Sequence, residues 1–93
     1  MLIDTSKSVI DKGYFVAIIP SGHQIIGECL LLNDNKMYCR NVYCCNSDLL
    51  SFREYMIGID TSLTIMINTL MCVSITRPDK ELLEKYLDYT KAN

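Results

Sequence analysis

The chain has 93 residues, 49% of them hydrophobic and 22% charged, with a formal net charge of −2. That length supports one modest core rather than two, and that composition is globular rather than disordered. The acidic balance argues against a protein that grips nucleic acid by phosphates over a broad basic surface, so any such contact has to be local.

No window approaches the ~18 uninterrupted apolar residues of a membrane helix. Residues 1–7 lack a charged start followed by a long apolar core, so no secretory leader is expected and the expected location is the cytoplasm. The expected organisation is a single domain over 1–93, with 1–12 an arm or short helix, 14–75 a β-barrel and 77–90 a helix.

Residues 2–12 place Leu2, Ile3, Val9 and Ile10 among polar residues ahead of Gly13. Asp4 or Thr5 could cap a short helix there, ending at the glycine. Residues 14–19 are aromatic and β-branched, which suits a strand. Pro20-Ser21-Gly22-His23 supplies the dihedrals of a tight turn. A second strand over 24–32 is expected to bend at Gly27, because a glycine inside a strand marks a bulge or a sharp corner. Asn33-Asp34-Asn35-Lys36 is turn chemistry, and a third strand is expected over 37–45. Both alternating faces of that strand are only partly polar, so each is expected to meet protein.

Asn46-Ser47-Asp48 breaks the pattern. Residues 49–59, with Phe52, Tyr55, Met56 and Ile57, fit either a strand or a helical turn. Two apolar strands are expected over 63–67 and 70–75, separated by Asn68-Thr69. Their continuous apolar character suits strands buried on both faces or lying at a subunit boundary. The clearest helix is the last. Thr76 or Arg77 precedes Pro78 at a first-turn position, with Asp79 and Glu81 near the positive helix end. Leu82, Leu83, Tyr86 and Leu87 form a stripe that packs on the barrel mouth or on a neighbouring subunit.

Little in this chain points to catalysis. The single histidine, His23, lies in a turn without an assignable partner, and no phosphate-cradling loop or dinucleotide fingerprint is present. The five cysteines, Cys29, Cys39, Cys44, Cys45 and Cys72, are odd in number and have no C-x-x-C pair. They read as reduced thiols used as small hydrophobes, not as a metal site or a disulfide framework. Neither cofactor nor metal is expected, and no enzymatic activity.

Five or six short, curved strands in about 65 residues suggest a small barrel of Sm, SH3 or OB type. Gly22-x-x-Ile25-x-Gly27, followed by Asp34-Asn35-Lys36-Met37, resembles the first signature of the Sm-like family, which includes the Sm and LSm proteins and the bacterial protein Hfq. The resemblance covers residues 14 to about 43 directly, and the later apolar strands by layout only. It implies a strongly bent five-stranded antiparallel barrel that closes into a homo-oligomeric ring, the fourth strand of one subunit pairing with the fifth of the next. Gly22, Gly27, Asp34 and Met37 would be its structural turn residues. Small divergent proteins of this kind resemble those encoded by phages.

The family binds single-stranded RNA, U- or A-rich, in a pocket whose positions correspond here to Lys36, Tyr38 and Asn68. Each departs from the family pattern. Lys36 stands at the base-stacking position, Tyr38 at the asparagine after the methionine, and Asn68-Thr69 at the Arg-Gly of the second signature. The interval from Gly27 to Asp34 is one residue longer than usual, which implies a bulge or Asn33 in the aspartate's place. Tyr38 still offers a stacking face, Lys36 a phosphate contact and Asn68 an amide edge. The rival expectations are an oligomeric scaffold that has lost RNA binding, and a monomeric SH3- or OB-like adaptor.

Overall fold

A computed structural model describes residues 13–46, 51–55 and 60–92. The expected arm or helix over 1–12 lies outside them. The fold is mainly β, an antiparallel six-stranded sheet with one C-terminal helix. The strands are β1 (Tyr14–Ile18), β2 (Gln24–Asn33), β3 (Lys36–Asn46), β4 (Ser51–Glu54), β5 (Ile65–Asn68) and β6 (Ser74–Thr76), followed by α1 (Lys80–Ala92). The sheet runs β4-β3-β2-β1-β6, and β5 pairs with β3.

Three expectations do not hold. The sheet has six strands rather than five, and among the described residues no ladder closes it into a barrel. The apolar run 70–75 is not one strand either. Thr69–Met71 forms a 3₁₀ turn capped by Asn68, and only Ser74–Thr76 is strand. The ambiguous run 49–59 yields the short strand β4; residues 47–50 and 56–59 lie outside the described residues.

The turns form as their residues dictate. The Gly22 amide donates to the Ile19 carbonyl at 2.8 Å, closing a turn with Pro20 second and Gly22 fourth. Gly22 sits at φ 92°, a conformation that costs a side chain. The β2–β3 hairpin turns on Asp34 and Asn35, with Asn33 opposite Lys36 and Asp34 at φ 56°.

Two bulges then set which residues face which way. Ile26 faces Tyr43 but Glu28 faces Arg40, so Gly27 lies opposite both Asn41 and Val42. Asn41 takes φ 52° at this extra position. Nearer the hairpin tip Cys29 faces Cys39 but Leu31 faces Tyr38, which makes Leu30 the additional residue. Of the two expectations for the Gly27-to-Asp34 interval, a bulge or Asn33 in the aspartate's place, the interval does contain a bulge. Each bulge shifts the two-residue alternation by one. Hence Met37 and Cys39 share a face with Val42 and Cys44, and Ile25 and Cys29 share it with Leu32.

That face carries one core, built on Phe15, Ala17, Ile25, Met37, Cys39, Val42 and Ile67. The other face carries a second, in which Val16, Ile26 and Tyr43 meet Leu82 and Tyr86 of α1. The helix therefore packs on a face of its own sheet. Tyr86 is 1% exposed and touches Tyr14, Tyr43 and Phe52 edge-on. Burying a side chain of that size contributes on the order of 2–3 kcal/mol. Asp79, not Thr76 or Arg77, caps the helix: its carboxylate accepts from the Leu82 amide at 2.8 Å.

Gly27 is needed for space. A Cβ there would lie 2.8 Å from Val42 Cγ2 and 3.1 Å from Phe15 Cε1. Cys44 and Cys45, adjacent in β3, pack against opposite cores as strand alternation requires.

Candidate nucleic-acid interface

β3 is lined along one edge by two strands. β4 pairs with its C-terminal half, from Tyr43↔Glu54 to Asn46↔Ser51, and β5 with its N-terminal half, from Lys36↔Asn68 to Cys39↔Ile65. Ile65 lies seven residues further along than a continuation of the β4 register would place opposite Cys39. The loop between β4 and β5 returns against the β3 bulge, where the Asn41 amide donates to the Thr61 carbonyl at 2.7 Å. Thr61 Oγ1 lies 3.1 Å from the Tyr43 hydroxyl. Asp60 stiffens the same loop by accepting from the Ser62 amide and hydroxyl, and the hydroxyl bond foremost holds its carboxyl below the usual range.

This return brings the sequence-predicted residues together. Lys36 lies directly opposite Asn68, and Tyr38 opposite Met66. Lys36 and Tyr38 are two apart on β3 and so share a face, as Met66 and Asn68 do on β5. The intervening Met37 and Ile67 are buried on the other face. Across β2, Leu31 lies opposite Tyr38, and Asn33 opposite Lys36. The face therefore has two rows. One is Leu31–Tyr38–Met66, the other Asn33–Lys36–Asn68.

The polar row is held from behind. The Thr69 amide donates to the Asn35 carbonyl at 2.7 Å, and the Thr69 hydroxyl to the same oxygen at 3.2 Å. Asn68 Oδ1 accepts from the Leu70 amide at 2.9 Å, which orients the side chain. Lys36 and Asn68 are exposed and Tyr38 is half-buried. Leu31 and Met66 are more than half exposed, at 57% and 51%.

The four turn residues do not join this face as ligand groups. Met37 is fully buried in the first core, and Asp34 sits at the hairpin tip beside the polar row. Gly22 and Gly27 lie towards the far end of the strands. Two open grooves of about 500 Å³ occupy that far end and share His23, Cys44 and Arg53. Ser21 Oγ lies 2.7 Å from His23 Nδ1, and both residues are exposed.

Sequence reasoning missed Leu31, Asn33 and Met66. Only the Leu30 bulge puts Leu31 and Asn33 outward, and its sole sequence signal was the lengthened Gly27-to-Asp34 interval. No group of three metal-ligating side chains and no helix long and apolar enough to cross a membrane occurs among the described residues. The chain matches no protein-family model and no curated protein.

Proposed function

We propose that this protein is a non-catalytic, Sm-like, homo-oligomeric module that binds single-stranded RNA at Lys36, Tyr38 and Asn68. The observation that carries the reading is the Lys36↔Asn68 pairing, with Tyr38 two residues along the same face. A half-buried aromatic beside one cation and one oriented amide has the parts needed to stack a base, meet a phosphate and read a base edge. Fluorescence anisotropy with labelled oligo-U and oligo-A at low salt tests it. Saturable binding that weakens in Lys36→Ala is expected; no binding to either oligomer rejects the RNA reading.

The ring is supported by where the exposed apolar residues fall. Leu63, Leu70, Met71 and Val73 are all more than half exposed, and they surround the short strands β5 and β6. A second copy pairing along these edges would cover both the apolar side chains and the open backbone groups. The same observation favours the second reading, an oligomeric scaffold without RNA. A particle mass above one chain together with no RNA binding selects that scaffold.

A further inference from the structure

We propose that Leu31 and Met66 are ligand-contacting residues, and that the two-row face recognises unstacked bases rather than the phosphate chain. The proposal rests on the RNA-binding reading above and says how that binding works. Leu31, Tyr38 and Met66 lie directly opposite one another across three neighbouring strands. Side chains so placed have Cβ atoms about 5 Å apart, close enough to form a continuous strip. The strip has an aromatic ring at its centre and an exposed apolar side chain on either flank.

An apolar strip alone would fit many partners. Its neighbour narrows the choice. Asn33, Lys36 and Asn68 form a parallel row two residues away, about 7 Å along the strands. A planar base resting on the strip would present its hydrogen-bonding edge to this row, where two amides flank an ammonium. Asn68 is already oriented for the task, since its Oδ1 is held by the Leu70 amide.

Charge sets the balance between bases and phosphates. Lys36 is the one charged residue among the six, and Asp34 stands beside it in the hairpin turn. One cation neutralises about one phosphate, so the logarithm of affinity should fall against log salt with a shallow slope of about −0.7 per occupied face. Proteins that hold nucleic acid by its backbone lose affinity far more steeply. The apolar strip must carry most of the binding here.

Anisotropy with labelled oligo-U, oligo-A and an abasic ribose-phosphate chain of equal length tests this, over a salt series. Leu31→Ser and Met66→Ser are measured alongside wild type, with particle mass followed by light scattering and folding by circular dichroism. The expected result is a shallow salt slope, no binding of the abasic chain, and a loss of about tenfold in each folded variant at unchanged mass. The proposal is overturned if the abasic chain binds as well as oligo-U, if the slope is steep, or if neither variant loses affinity. It is equally overturned if the variants change particle mass and not affinity, because the strip is then a subunit seam. Failure of wild type to bind any oligomer would instead reject the RNA reading itself.

Discussion

The Tyr86 hydroxyl donates a hydrogen bond of 2.7 Å to the carbonyl oxygen of Asn41, tying α1 to the left-handed residue at the β3 bulge. The Asn41 amide is held on its other side by Thr61. One residue thus joins the helix, the third strand and the β4–β5 loop. Tyr86→Phe keeps the ring and its edge-on contacts but leaves a half-buried carbonyl without that donor. A loss of about 1–3 kcal/mol in urea unfolding is expected; unchanged stability would show that the bulge does not need the helix.

Gly27→Ala is expected to destabilise the fold by about 1–3 kcal/mol through overpacking, since the new methyl would crowd Val42 and Phe15. Pairing it with Val42→Ala should recover part of the loss. A lack of recovery would mean that the glycine serves the strand bend and not the packing.

The long elements were legible in the residues because their signals are local. Aromatic and β-branched runs bounded by turn chemistry placed β1, β2 and β3 nearly to the residue, and the Leu82–Tyr86 stripe placed the helix. What was not legible depends on contacts. Leu70 and Met71 look like a buried strand, yet they form a 3₁₀ turn with their side chains outside. Pro78 looked like a first-turn residue, yet Asp79 after it is the cap. Lys36, Tyr38 and Asn68 were singled out only by the family resemblance. Their juxtaposition depends on β5 pairing with the first half of β3, which no local pattern encodes. Leu31 and Met66 were invisible as surface residues because apolar side chains in strands read as core.

Burial pushes the Cys39 thiol up to about 12, with the neighbouring Cys29 and Cys72 adding to the effect. In the unfolded chain the same thiol ionises near its ordinary value of 9.0. Its folded form resists ionisation, so its stabilising contribution is complete below pH 9.0 and is lost as pH rises towards about 12. Urea midpoints of wild type should therefore fall as pH rises above about 9, and fall less in Cys39→Ala. Parallel pH profiles would contradict this. Tyr86, also raised chiefly by burial, acts in the same direction, so the variant should still lose some stability as pH rises.

Asn68→Asp separates reading from capping. The carboxylate still accepts from the Leu70 amide, so the 3₁₀ turn and the stability should be retained within about 0.5 kcal/mol. The amide donor is replaced by a negative charge beside Lys36, and RNA affinity should drop about tenfold or more. Retained affinity would remove Asn68 from the interface.

Leu70→Glu combined with Val73→Glu puts charge on two side chains that are 66% and 64% exposed in the single chain. Light scattering should then report the single-chain mass of 10.6 kDa, against a multiple of it for wild type. A wild type that is itself monomeric at micromolar concentration would rule out the ring.

The most direct test of the central claim is photocrosslinking to an oligonucleotide carrying 4-thiouridine, followed by tryptic mass spectrometry. Cleavage after Lys36 and Arg40 isolates residues 37–40, which contain Tyr38. An adduct on this peptide, lost in Tyr38→Ala, is the predicted result. Adducts confined to the His23 and Arg53 end of the sheet, or no adduct in a preparation that is folded and oligomeric, would contradict it.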